Sequence, residues 1–375
     1  MIDVEEYITL VIHTPERAQL LKNILESHGM QIRLEDFVSF KSPMTVAQRV
    51  KIIPKDLPLA LRIIESGDNY SPALIEMKMA GMSGNMLIPV DFSESSKVAV
   101  TIGFKLARRI GVHPVVMNAY VAPLFNPAVS GDADPMLAGE DIAEAEEARN
   151  IREISSVRLS KFKRQIGEWQ KQGEVPDLKF TASLLEGVPE EVILSYCKDT
   201  PPVLVVMATR GVDRKEEELI GSVTAEVLDS CRVPVFTVPE HCSIDSIEDV
   251  KRLMLFCNMD QHDIMTVDAL MRMFEYPDCE VTLVPVMSRK GSRVKSKMTA
   301  LCDFFNNNYP TARFSLFLPQ SEDYRKGIDR EISDKDIELL IVPNKRTNVF
   351  SRIFHPTIAH KFLFERDMPM LVIPV

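Results

Sequence analysis

The chain of 375 residues lacks any apolar run long enough to cross a bilayer; its longest candidates, such as Val203 to Met207, are strand-sized. It also lacks an excess of positive charge. The formal net charge is −10, which argues against a broad grip on a DNA or RNA backbone, because that needs a cationic surface. The opening residues Met1-Ile2-Asp3-Val4-Glu5-Glu6 are acidic where a secretory signal would be basic. The six cysteines, Cys197, Cys231, Cys242, Cys257, Cys279 and Cys302, show no CxxC or other zinc-like spacing, so reduced thiols in a cytoplasmic protein are expected. A small anionic ligand survives these exclusions. Backbone N–H groups at a helix start bind phosphate without any net positive charge.

What is present divides into three segments. In residues 1–75, Tyr7 to Ile12 reads as a β-branched strand, and Thr14-Pro15-Glu16-Arg17 as a helix start. That helix carries Leu20, Leu21, Ile24 and Leu25 and stops at His28-Gly29. Met30 to Phe40 and Gln48 to Ile53 read as strands. A second helix after Pro54 bears Leu57, Ala60, Leu61, Ile63 and Ile64. The order strand–helix–strand–strand–helix predicts a small ferredoxin-like α+β domain. Residues 76–84 read as a linker, and Met77, Met79 and Met82 around it as adaptable packing residues rather than soft-metal ligands.

Residues 85–240 alternate strands with helices. Strands are expected at Met86 to Val90, Pro114 to Val121, Lys179 to Leu185, Val203 to Met207 and Val233 to Val238. The helices between them are Ser93 to Arg109, about Gly139 to Gln172, Pro189 to Lys198 and Ser222 to Ser230. This predicts a five-stranded, doubly wound parallel sheet. Residues 249–375 repeat the plan, with helices at Ile264 to Phe274, Val294 to Asn308, Ile328 to Lys335 and Thr357 to Phe364. Both repeats end alike, Val233-Pro234-Val235-Phe236 against Met368-Pro369-Met370-Leu371, which marks an internal duplication of domain size. The expected fold class is therefore α/β, with two tandem doubly wound domains behind the α+β unit.

The chemistry-bearing stretch is Val205-Val206-Met207-Ala208-Thr209-Arg210-Gly211, nine residues, then Gly221-Ser222-Val223-Thr224. It leaves a buried strand, crosses a loop and returns at a helix N-terminus. Small residues at Ala208, Gly211 and Gly221 let backbone amides approach an anion. Ser222 and Thr224 add hydroxyls beside the first-turn N–H groups. Asp91 stands at the carboxyl end of the first strand of its sheet, where open α/β sheets bind ligands, and can accept hydrogen bonds from a base or ribose.

Ile88-Pro89-Val90-Asp91-Phe92-Ser93 resembles the first-strand motif of the universal stress proteins. The spacing Ala208-x2-Gly211-x9-Gly221-Ser222 is similar to the nucleotide motif of that family's ATP-binding branch, with alanine for the first glycine. Leu185-Glu186-Gly187-Val188-Pro189 resembles the family's turn before the third helix. The resemblance implies ATP or a related adenine nucleotide, with Mg2+, in the first repeat. Asp91 would face adenine or ribose, and the backbones of Val90 and Val121 the base. Gly211, Gly221, Ser222, Val223 and Thr224 would hold the phosphates, with Met207, Ala208 and Arg210 lining the same loop. It further implies that the tandem domains pair through their last strands as an intramolecular pseudo-dimer, that a homo-oligomer is open to the chain, and that occupancy signals to a protein partner. The charged loop 212–218 is the element a ligand would order.

The second repeat reads Pro343-Asn344-Lys345-Arg346, nine residues, then Pro356-Thr357, with Asn258 in the place of Asp91. It keeps no glycine, and Pro356 supplies no N–H, so a retained fold without the ligand is expected. Lys345, Arg346 and Arg352 read as a solvated loop. His355 and His360, five apart, do not form a metal pair on one helix face. Ser93 reads as an N-cap rather than a nucleophile, with Ser95 and Ser96 beside it, and no GxSxG elbow is present. Ala143 to Arg164 reads as a solvated helix face and Trp169 as a packing residue. A catalytic site is not expected, since neither SGGxDS nor HxGH occurs. A scaffold without nucleotide and a slow ATP-hydrolysing enzyme remain the alternatives.

Overall fold

The computed structural model describes residues 7–13, 15–38, 46–65, 84–122, 135–209, 222–242, 244, 247–274, 278–286, 292–319, 324–344 and 368–374. The N-terminal elements are β1 (Ile8–His13), α1 (Pro15–Ser27), β2 (Ile32–Val38), β3 (Val46–Ile52) and α2 (Leu57–Glu65). Both β1 and β2 pair antiparallel with β3, in the order β1-β3-β2. β1 and β2 thus run parallel with β3 between them, the split β–α–β arrangement that strand–helix–strand–strand–helix implies. Ala18 and Leu25 of α1 close a small core with Ile32, Val50, Ile52 and Ala60. The alternate residues Glu35, Arg49 and Lys51 form ion pairs on the other side of the sheet.

The remaining strands form one ten-stranded sheet. Its first half contains β4 (Asn85–Pro89), α3 (Glu94–Ile110), β5 (His113–Tyr120), α4 (Pro135–Gln172), β6 (Thr181–Glu186), α5 (Pro189–Asp199), β7 (Leu204–Ala208), α6 (Ser222–Ser230) and β8 (Val235–Val238). Its second half contains β9 (Arg252–Cys257), α7 (Gln261–Phe274), β10 (Cys279–Pro285), α8 (Ser292–Asn308), β11 (Ala312–Leu316), α9 (Tyr324–Asp334), β12 (Leu339–Asn344) and β13 (Met370–Pro374). The spatial order is β6-β5-β4-β7-β8 in the first half and β11-β10-β9-β12-β13 in the second, so each half steps outward from its first strand and then back across it. All pairs within a half are parallel. The one antiparallel contact joins β8 to β13.

That junction has a self-symmetric register. Parallel pairing sets Val205 beside Val235 and Leu340 beside Met370, which equates the two halves residue by residue along these strands. Across the junction Phe236 pairs with its own counterpart Leu371, while Val235 pairs with Val372 and Thr237 with Met370. A local two-fold axis therefore passes between Phe236 and Leu371. On one face of the sheet α3, α4, α7 and α8 share a single continuous core. On the other, α5 and α6 cover one cluster and α9 another. Gly103 lets α3 settle on the sheet: a Cβ there would lie 2.6 Å from Ile88 Cδ1 and 3.6 Å from Val206 Cβ.

Several helices begin earlier than their apolar periodicity implies: α7 at Gln261 rather than Ile264, α9 at Tyr324 rather than Ile328, and α4 at Pro135 rather than Gly139. In α7 the reason is visible, since the polar first turn is closed by Asp263, whose carboxylate caps the preceding amides. Polar first turns carry no hydrophobic signal. The expected linker methionines, the helix at Thr357 to Phe364, the basic set at 345–352 and both His355 and His360 lie outside the described residues.

The N-terminal unit docks through α2 on α7. There Arg62, only 3% exposed, pairs with the equally buried Asp268. Asp268 also accepts from Arg272 Nε at 3.0 Å and from the Tyr309 hydroxyl at 3.2 Å. Burial together with this carboxylate pushes the Tyr309 hydroxyl above its ordinary pKa. Ile64, read from the sequence as part of the apolar stripe of α2, is 41% exposed instead.

Two stability changes follow from these contacts. Replacing Arg62 by Ala strips one cation from a buried carboxylate; because Arg272 and Tyr309 remain, a loss of about 3 kcal/mol is expected, the low end for broken buried pairs, read from the urea-unfolding midpoint. The Thr237 hydroxyl is fully buried without a hydrogen-bond partner, and its counterpart in the second half is Val372. Thr237→Val should therefore raise stability by about 1 kcal/mol in the same assay.

Candidate functional site

The carboxyl ends of β7, β4 and β5 are adjacent, and the chain leaves β4 toward β5 but returns on its other side as β7. The crevice outside such a reversal is where open α/β sheets receive ligands. Asp91 sits two residues beyond β4, and Ala208 ends β7. Thr224, in the first turn of α6, donates its hydroxyl to the Ala208 carbonyl at 2.9 Å and so ties the helix start to the strand end. Ser222 is exposed at the first position of α6, Val223 is half-buried and Thr224 is buried. Val121, just past β5, is 55% exposed. Asp91, Ala208 and the start of α6 thus come together, with Val121 on the flanking strand.

Other expected site residues are placed differently or not at all. The Met207 side chain is buried in the core beneath α5 and α6, so only its backbone could reach the crevice. Val90 is buried, its N–H donates to the Met117 carbonyl at 2.8 Å, and its own carbonyl accepts from Asn118 Nδ2 at 2.8 Å. Arg210, Gly211, Gly221 and the loop 212–218 lie outside the described residues.

Asp91 is held by its own turn. Its Oδ1 accepts from the Ser93 N–H at 3.1 Å, the Ser93 hydroxyl at 2.6 Å and the Ser96 hydroxyl at 2.7 Å. The Asp91 N–H donates to Ser96 Oγ at 3.0 Å. Ser93 caps α3 by accepting from the Ser96 N–H, as its position predicts. Phe92 between them has φ 66°, the left-handed region that a phenylalanine rarely adopts. Its ring packs edge-on against Phe162 of α4, with the Arg158 guanidinium over it. Ser96 and Asn118 are the positioning residues that sequence reading missed; the Asp-x-Ser-x-x-Ser spacing was the available signal for Ser96. At the next strand ends, the Tyr120 hydroxyl donates to Glu186 at 2.9 Å, and burial followed by that carboxylate raises the tyrosine pKa. Gly187, at φ 137°, turns the chain there and donates its N–H to the Tyr120 carbonyl. Trp169 packs edge-on against Phe162, as a core residue should.

The second half repeats the turn with its polarity reversed. Met259, with φ 63°, occupies the place of Phe92, and Asn258 that of Asp91. The carboxylate has moved to the position of Ser96, where fully buried Asp263 accepts the N–H groups of Asn258, Met259 and Asp260. Strand register sets Pro343 against Ala208, agreeing with the spacing of the motif. Among the described residues, no group of three or more His, Cys, Asp or Glu is arranged to hold a metal ion.

The fold is that of an open-sheet α/β protein whose strand order reverses beside β4. Residues 82–239 match the model of the universal stress protein family. A universal stress protein of Methanocaldococcus jannaschii is 28% identical over 153 residues, covering 41% of this chain and 80% of the relative. The solved universal stress protein of Archaeoglobus fulgidus covers 78% of this chain and 98% of its own at 14% identity, with a TM-score of 0.48. A universal stress protein solved in complex with cAMP covers 41% of this chain and 96% of its own at 18% identity, with a TM-score of 0.28. The family model and the curated relative both point to the universal stress protein family for this segment.

The reversed turn has a measurable consequence. Desolvation outweighs the three amide donors and pushes the Asp263 carboxyl up to about 6, from 3.8. A carboxyl that binds its proton more tightly folded than unfolded costs stability above its folded pKa, and that cost disappears as pH falls through 6 toward 4. Relative to Asp263→Asn, the native chain should gain about 1.5 kcal/mol between pH 7.5 and pH 5, read from paired denaturant titrations.

Proposed function

We propose that a small ferredoxin-like unit (1–75) and a linker (76–84) precede two universal-stress-type domains (85–240 and 249–375), and that the first binds ATP or a related adenine nucleotide. The observation that carries this reading is the meeting of Asp91, Ala208 and the first turn of α6 at the reversal between β4 and β7. A helix start beside a strand end presents unpaired N–H groups to an anion. Ser222 adds an exposed hydroxyl there. Asp91, oriented through Oδ1, suits a ribose hydroxyl without needing to reorganise. Gly211 and Gly221 belong to the same grip by their place in the motif. Mg2+ would travel on the phosphates. The function is read as a binding switch: occupancy orders the loop 212–218 and alters contacts with a protein partner in the cytoplasm.

The second domain serves as a scaffold. Asn258 and Pro343 stand where the first domain has Asp91 and Ala208, and its buried Asp263 faces amides rather than the crevice. One nucleotide per chain is therefore expected, not two.

Isothermal titration of MgATP into the full chain tests this. A single site should appear. Asp91→Ala and Gly221→Asp should each weaken it by about tenfold or more, the loss of one charge-assisted contact or the addition of a repelling carboxylate. Thermal melts of the variants separate lost binding from lost folding. No heat with the native chain would leave a scaffold without nucleotide, and sustained turnover of ATP would make it an enzyme.

A further inference from the structure

Helix α4 meets the sheet along one stripe, where Leu159, Phe162 and Ile166 are buried. A second stripe of the same helix looks away from that core. Glu147, Asn150, Ile154, Val157, Lys161 and Arg164 follow one another in alternating steps of three and four and are all exposed. Such steps keep side chains in line along a helix and form the contact seam wherever two helices pack lengthwise. The two apolar members sit at the centre of the stripe, Ile154 55% and Val157 61% exposed. The charges are sorted by sign around them. Glu147 stands at one end and Lys161 and Arg164 at the other, and no acidic residue occurs between Ile154 and Gly167.

This order is complementary to its own reverse. We propose that α4 is the contact surface of a homodimer, in which the stripe packs antiparallel on the same stripe of a second copy. The two-fold axis passes beside residues 155 and 156. Ile154 then meets Val157 of the partner subunit, Asn150 meets Lys161 of the partner subunit, and Glu147 meets Arg164 of the partner subunit. Each contact occurs twice, as a two-fold interface requires. The central contact removes four β-branched side chains from water, and the flanking ion pairs fix direction and register. Parallel pairing would set Glu147 on Glu147 and Arg164 on Arg164, so like charges exclude it. An acidic protein or an anionic lipid surface would satisfy the cationic end but repel Glu147, whereas a second copy satisfies both ends. From Glu147 to Arg164 the contact runs about 26 Å along the helix, which is small for a permanent assembly, so the dimer should dissociate in the micromolar range. Helix α4 lies on the sheet face opposite α5 and α6, and the inference does not rest on the nucleotide reading.

Sedimentation velocity of the full chain between about 1 and 100 μM tests this, the span in which such a contact forms and dissociates. A monomer–dimer equilibrium should appear. Ile154→Asp places a carboxylate at the apolar centre twice per dimer and should raise the dissociation constant about tenfold or more. Glu147→Lys and Arg164→Glu should each raise it severalfold, since each opposes like charges. Because these two positions face each other across the axis, the double variant Glu147→Lys/Arg164→Glu should return it to within about threefold of the native value. All three positions are exposed, so unchanged thermal melts are expected and separate lost association from lost folding. A native chain still monomeric at the top of the range would overturn the proposal whatever the variants do. So would a dimer indifferent to the single substitutions, or a double variant no tighter than either single one.

Discussion

The antiparallel pairing of β8 with β13 is the contact on which the rest of the large sheet depends. Each half ends in a strand that would otherwise present a row of unpaired amides and carbonyls, an open template for association. Pairing the two covers both edges at once. The register centred on Phe236 and Leu371 also brings α3 and α7 onto the same face, where the two halves share one core instead of two. A shared core multiplies the apolar surface removed from water at the junction, so the halves are coupled more strongly than three residue pairs of ladder alone would achieve. Asn344, the last residue of β12, adds a hydrogen bond of 2.8 Å to the Leu228 carbonyl of α6 across that junction.

The turn after the first strand of each half is held by a carboxylate, placed differently in the two halves. Both turns hold a non-glycine residue at positive φ, Phe92 or Met259, and in both a carboxylate accepts hydrogen bonds around it. In the first half a carboxylate at the strand end receives serine hydroxyls from the helix. In the second the carboxylate sits on the helix and receives amides from the turn. The local fold is equally satisfied, but only the first arrangement leaves an anionic acceptor at the strand end beside the crevice. The reversed arrangement thus keeps the turn structure at the cost of desolvating Asp263.

The alternation of strands and helices and the Ser93 cap were legible because each leaves a periodic or local signal. Boundaries were less so wherever a first turn is polar, as at Gln261-His262-Asp263. Arg62 could not be read as buried: its partner Asp268 lies 206 residues away, and an arginine among Leu57, Ala60, Leu61 and Ile63 looks solvent-facing until that partner arrives. The candidate site was legible as a set of strand ends and a helix start, since motif spacing reports topology. How Val90 and Asp91 are held was not, because Asn118 reaches Val90 from the neighbouring strand and Ser96 reaches Asp91 from the next helix.

These contacts differ in what they tie down. The β8–β13 ladder and the shared core hold the two halves as one body, and the Arg62–Asp268 pair fastens the N-terminal unit to the second half through α7. The crevice at β4 and β7 is bounded by none of these. Its walls are a strand end, a turn and a helix start linked by single hydrogen bonds such as Thr224 to Ala208. Stability is concentrated in burial along the sheet, while the ends of the strands are held by few, directional contacts. The crevice thus has one wall backed by the buried sheet and another held by such single contacts as the Thr224 hydroxyl on the Ala208 carbonyl.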